Sequence, residues 1–186
     1  MNMDSSSQLR MMVYASLFSA LTAVGAFLAI PIGPVPIVLQ NMFVYLAGLL
    51  MGSRWGLASV GVYLLAGACG LPVFAGGLGG IGRIIGPTGG YLIGYLPAVY
   101  VIGKISARIH QRAVYDLLAM ICGTVVLYAC GVAWLKIVTG MTPAKAVAVG
   151  LLPFLVGDAI KIAAAAAVAK ALRPVIQVGD LAIKDT

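Results

Sequence analysis

The sequence predicts an all-α integral membrane protein of six transmembrane helices with both termini cytoplasmic. Three observations lead there. Hydrophobic residues make up 62% of the 186 residues and charged residues only 9%, against roughly 25% charged in a soluble domain. The apolar residues gather in runs near the length of about 20 that a bilayer-crossing helix needs. The few charges flank those runs rather than covering one face of a soluble fold. Residues 1–186 therefore form a single membrane domain, with no stretch polar enough to be a soluble domain.

The elements follow in order. The N-terminal MNMDSSSQLR is short and polar. The apolar run behind it is longer than a signal-peptide core and lacks a clear small-residue cleavage site, so it is expected to be a retained span. Span 1 covers about 11–30 and ends at PIGPVP (31–36), where prolines remove donors and disfavour helix before them. Span 2 covers about 37–51, and GSRWG (52–56) is a tight turn into span 3, about 57–69. A Gly-rich loop, 70–90, leads to span 4, about 91–105, with Pro97 a kink. The polar loop KISARIHQR precedes span 5, about 114–138. TGMTPAKAVAVGLL is expected to form a short surface helix before span 6, about 153–172, which opens on Pro153 at a first-turn position.

Cations sort to one side of this scheme. Arg10, Arg54, Lys104, Arg108, Arg112, Lys170, Arg173 and Lys184 lie on the side of the termini; Arg83, Lys136 and Lys145 lie on the other. Cytoplasmic loops carry the excess of Lys and Arg. Loops 31–36, 70–90 and 139–152 are then external. The net charge of +7 is a topology signal rather than a nucleic-acid patch.

Several motifs are excluded by context. Gly77-Leu78-Gly79-Gly80-Ile81-Gly82 fits G-x-G-x-x-G, but a dinucleotide loop needs a preceding strand, a following helix and an acidic residue about 20 positions on. No acidic residue occurs between Asp4 and Asp116, and no Walker A loop occurs anywhere. Cys69, Cys122 and Cys130 lie singly in apolar runs, where Cys packs as a small hydrophobe, and His110 is the one histidine. Neither a metal site nor a cofactor is expected.

Asp158 and Lys161 stand out in PFLVGDAIKIAAAA. A charge in hydrocarbon costs about 2.5–3.5 kcal/mol on insertion scales. Their i, i+3 spacing places both on one face, one turn below the external end of span 6. They form either an intrahelical ion pair or a site for a ligand carrying both N–H and C=O groups; the plain alanines of 163–167 favour the ligand. Arg83 lies outside against the charge bias, which suggests an anion such as a ligand carboxylate. In GPTGGY (86–91), Thr88, Gly90 and Tyr91 lie at the neck of span 4, where bare glycine N–H groups either approach a ligand or shape a turn. Gln40 and Asn41, just inside span 2, either hydrogen-bond a ligand or bridge helices. Ala15, Ser19 and Ala23 stand four apart in span 1, as do Ser16 and Ala20, and such strips permit close helix approach inside the chain or against a partner.

PIGPVPIVLQN (31–41), GLPVFAGGLGG (70–80), GPTGGYLIGY (86–95) and PFLVGDAIK (153–161) occur in the order seen in one family. The sequence resembles the BioY family of biotin transporters, the substrate-binding S components of energy-coupling-factor importers. Val38 departs from the pattern, where such proteins usually carry Thr. The resemblance implies a six-helix S-component fold in a prokaryotic cytoplasmic membrane, with an outward-facing biotin pocket and no catalysis. It implies as partners a membrane T component and two cytoplasmic ATPase subunits, with the strip of Ala15, Ser19 and Ala23 as the docking surface. It also implies that Asp158 and Lys161 contact biotin's polar groups. Arg83, Gln40, Tyr91, Thr88 and Gly90 join the site on position and chemistry. The alternatives are an S component for another small vitamin and, less favoured, an intramembrane enzyme. Asp116 belongs to the cytoplasmic end, far from Asp158, which leaves a diaspartyl protease without its second carboxylate. A channel would need a pore filter or ring of charges, and neither is written in the chain.

Overall fold

The computed structural model describes residues 5–30, 34–108 and 113–181. Helix α1, Ser5–Phe27, is followed by two short antiparallel strands, β1 (Ala29–Ile30) and β2 (Ile37–Val38), paired Ala29 to Val38 and Ile30 to Ile37. Then come α2 (Gln40–Ala68), α3 (Ile81–Ile85), α4 (Gly89–Arg108) and α5 (Ala113–Thr139). Helix α6 (Pro143–Gly150), a 3-10 turn at Leu152–Phe154 and α7 (Leu155–Leu181) complete the chain. Five helices are long and apolar enough to cross a membrane: α1, α2, α4, α5 and the α6–α7 segment.

Spans 2 and 3 of the sequence scheme are joined in α2, whose one non-helical residue is Gly52 at φ 72°, ψ −174°. The chain doubles back there. An ideal Cβ on Gly56 would lie 3.4 Å from the Ala47 carbonyl oxygen, whereas nine residues of straight helix rise about 13.5 Å. Both ends of α2 also reach one place: Gln40 and Phe74 line the same cavity, and the Phe74 ring lies against Gly67. Residues 40–51 and 53–68 are thus two antiparallel legs. The reversal takes a single residue because glycine adopts positive φ without a Cβ clash.

Other boundaries move for local reasons. Helix α1 ends at Phe27, three residues short of the expected span, because Ala29–Ile30 finds a strand partner beyond the prolines. Helix α7 runs on to Leu181, through Pro174. The surface helix forms as α6, with Thr142 at its N-cap accepting from the Lys145 N–H and Pro143 at its start. His110 and Arg112 of the polar loop, Lys184, and residues 31–33 of PIGPVP lie outside the described residues.

The Gly-rich segment is a shaped cover. Phe74 is 2% exposed, its backbone pairs with Leu78, and its ring meets Tyr63 edge-on at 5.6 Å between centroids. The Gly80 N–H donates to the Gly67 carbonyl at 2.7 Å, fastening the loop onto the end of α2. The glycines of the G-x-G-x-x-G match serve this loop: Gly77 has φ +70°, and a Cβ on Gly79 would meet the Leu71 carbonyl at 2.2 Å.

The opposite end is closed by charge. Arg173 on α7 donates to both carboxylate oxygens of Asp116 on α5, at 2.6 and 2.7 Å, and to Ser106 Oγ on α4 at 3.1 Å. All three side chains are buried. The bidentate geometry satisfies both ions where water is scarce.

The small-residue strip of α1 packs mostly inward. Ala15 and Ser19 are buried within the chain and Ala23 is half-buried. Ala15 and Ser19 carry α1 against its own bundle. The outward pair is Ser16 and Ala20, set among exposed Val13, Leu17 and Val24.

Candidate functional site

At the loop-rich end, the start of α2, the Gly-rich cover, the start of α4, the second half of α5 and the start of α7 enclose a cavity of about 340 Å³. Its wall is mainly apolar, with Val35, Leu92, Leu127 and Phe154 among the contributors. Ligand pockets are typically of this kind, a few hundred Å³ of apolar wall with a small number of placed polar groups.

The polar groups are organised around Asp158, which is 2% exposed. Lys161 Nζ donates to its Oδ1 at 2.8 Å, and the Tyr128 hydroxyl from α5 donates to Oδ2 at 2.5 Å. Asn41 Nδ2 from α2 stands 3.5 Å from both oxygens. The Tyr95 hydroxyl from α4 donates to Asn41 Oδ1 at 2.7 Å. That bond fixes the amide so that its N–H₂ group, rather than its oxygen, faces the carboxylate. One acidic side chain thereby ties α2, α4, α5 and α7 together with its lone pairs occupied. This is the condition for keeping a charge at membrane depth.

Lys161 forms part of the cavity wall. It uses one N–H on Asp158 and carries two more donors. Gln40 also lines the cavity, is 2% exposed, and has no hydrogen-bond partner at Nε2. A buried donor left unmatched costs about 1–3 kcal/mol, so this amide is poised for a ligand acceptor. Arg83, on the exposed face of α3, and Thr88 stand at the cavity's cover.

The structure therefore brings Gln40, Arg83, Thr88, Tyr91 and Lys161 to one cavity, with Asp158 bracing Lys161 from behind. Tyr91 contributes its ring, because its hydroxyl donates to the Gly150 carbonyl at 2.6 Å and ties α4 to α6. Gly90 is not on the wall. A Cβ there would lie 2.2 Å from Trp134 Cβ and 2.6 Å from the Cys130 carbonyl, so this glycine lets α4 and α5 touch. Gly89 serves the neighbouring contact with Ile84, and Trp134 Nε1 donates to the Gly86 carbonyl at 3.0 Å. Much of GPTGGY is thus helix-packing geometry.

Sequence reasoning missed Tyr95, Tyr128 and Phe74. Tyr95 had a signal, since it follows Tyr91 by four residues on one helical face. Tyr128 had none, being a tyrosine in an apolar span like others that merely pack. Among the described residues no three His, Cys, Asp or Glu side chains come together to hold a metal.

The comparisons bear on this geometry. Residues 1–178 match the model of the BioY family. The biotin transporter BioY of Thermotoga maritima is 41% identical over 165 residues, covering 89% of this chain and 96% of that protein. The biotin transporter BioY of Rhizobium etli is 40% identical over 174 residues, covering 88% and 92%. Among solved structures, the S-component for biotin from an ECF-type ABC transporter superposes with a TM-score of 0.86 at 32% identity, covering 93% of this chain and 95% of that one.

Proposed function

The chain belongs to the BioY family, and from this premise we propose that it is the substrate-binding membrane subunit of a biotin uptake transporter, capturing biotin at its loop-rich end. The observation that carries the proposal is the mostly apolar cavity with Lys161 in its wall and Asp158 bonded to it from behind. Biotin presents a ureido ring with N–H and C=O groups, an aliphatic tail and a carboxylate. The apolar wall suits the rings and tail. Lys161 and Gln40 supply donors at the deep end, and Arg83 supplies a cation at the cover. The assignment of individual residues to biotin rests on this chemistry.

No covalent step is involved: members of this family are transporter components, not enzymes. The site recognises and releases its ligand, and import is driven by partners, a membrane T component and two cytoplasmic ATPase subunits. The loop-rich end faces outward in this scheme, because the opposite end holds most of the cations.

Biotin binding by the purified protein tests the proposal directly. A ligand that binds only the folded state raises apparent stability with concentration, so biotin is expected to raise the melting temperature while other small vitamins leave it unchanged. Asp158→Asn and Lys161→Ala each break a buried charged pair and should weaken binding by about 2–5 kcal/mol, roughly 30-fold or more. Unchanged affinity in both variants removes the pair from the site. A thermal shift with a different vitamin and none with biotin overturns the substrate.

A further inference from the structure

A second cavity, of about 660 Å³, opens on the other side of the Asp158–Tyr128 contact. It is a lateral groove between the 121–133 stretch of α5 and the start of α7, with α6 at one end. Ile121, Val125, Val147 and Leu155 line it and are exposed, at the depth of the membrane-crossing helices. Its only polar wall groups are Thr124, Tyr128 and Asp158 at the base, all engaged in hydrogen bonds within the chain. An apolar channel open sideways at this depth faces acyl chains, not water.

The groove has a charged mouth. Lys136 follows Val132 by four residues and Ala133 by three, and both of those line the groove. It therefore continues the groove-lining face of α5 one turn outward. Lys136 is exposed and pairs with no acid among the described residues. At the outer end of α5, a lysine with a long apolar stem reaches the head-group layer. Asp158, on the groove wall, is buried and occupied.

We propose that this groove is a binding site for one anionic phospholipid, with an acyl chain along α5 and α7 and the phosphate at Lys136. The complementarity is twofold: apolar wall to hydrocarbon, and an unopposed cation to phosphate at the level where the head group lies. The bound chain covers the back of the Asp158–Tyr128 contact, sealing the carboxylate from the bilayer side. The site is separate from the ligand cavity and does not depend on which molecule that cavity takes.

Native mass spectrometry of the detergent-purified protein, incubated with phosphatidylglycerol or phosphatidylcholine, tests this. One phosphatidylglycerol molecule is expected to stay bound at activation energies that strip phosphatidylcholine. Lys136→Ala should remove that preference, and Ala133→Phe, which fills the groove, should abolish retention. Both variants should keep the wild-type melting temperature and biotin response, which shows that they fold. In membranes, a photoreactive benzoylphenylalanine replacing Val125 should yield a lipid adduct. Retention that survives both substitutions, equal retention of the two lipids, or an adduct to a protein at position 125, whether a partner subunit or a second copy of the chain, overturns the proposal.

Discussion

A carboxylate at membrane depth persists only with its lone pairs occupied, and at Asp158 the occupants come from two other helices as well as its own. The geometry ranks them. Tyr128 and Lys161 make short bonds, whereas Asn41 stands at 3.5 Å and is held in orientation by Tyr95. Tyr128→Phe removes a hydrogen bond to a charged group, worth about 1.5–3 kcal/mol. It should lower stability by that order and weaken biotin binding by freeing the carboxylate that fixes Lys161. Tyr95→Phe acts one bond further away and should cost less in both. Titration of each variant with biotin, alongside thermal melts, checks the ranking. Asp158 and Lys161 were legible in the sequence because a charge inside an apolar run has no ordinary reason to be there. Tyr128 was not, because its meaning lies in a partner 30 residues away on another helix.

Among the elements, the Gly-rich cover shows how a loop is given shape by one buried ring. Phe74 sits between Gly67 and Tyr63 and forms part of the cavity wall. A Cβ on Gly67 would stand 2.1 Å from the ring. Gly67→Ala therefore forces Phe74 to move, with an overpacking cost of about 1–3 kcal/mol. The expected result is weaker biotin binding and faster proteolysis in the cover, read by affinity and by limited digestion. The reversal at Gly52 is equally local. GSRWG announced a turn, but the pattern did not reveal that one glycine performs it while helix continues on either side. The short β1–β2 pairing was hidden for a different reason: two residues on each side carry no periodicity, and the prolines between them obscure the strands.

For the whole molecule, two polar nodes stand at opposite ends of α7. The Asp158 node lies beside the ligand cavity, and the Asp116–Arg173–Ser106 node closes the other end. Removing one member of a buried ion pair typically costs about 3–5 kcal/mol, whereas replacing both by apolar residues is often neutral. Arg173→Met should therefore destabilise strongly, and Asp116→Leu combined with Arg173→Met should recover most of the loss in thermal melts. Biotin affinity should follow stability at this remote node rather than fall on its own. The orientation in the membrane is checked by cysteine labelling in a background lacking Cys69, Cys122 and Cys130. Cysteine placed at Arg83 should react with an impermeant maleimide in intact cells, and cysteine placed at Lys104 only after permeabilisation. The reverse pattern inverts the topology.

Composition and apolar runs alone settled that this chain is a helical membrane protein, because hydrocarbon admits no other use for such stretches and isolates every charge it contains. Four short segments in order were enough to place it beside biotin transporters, since backbone-specific glycines and a GD-x-x-K pair are demanding in combination. Which neighbours those residues meet was decided only in three dimensions. Gly90 admits the close approach of Trp134. Ala15 and Ser19 turned inward, leaving Ser16 and Ala20 outside. Burial direction around a uniformly apolar helix is not encoded by periodicity, because lipid and protein interior select the same side chains; only the packing of one helix on another breaks that tie.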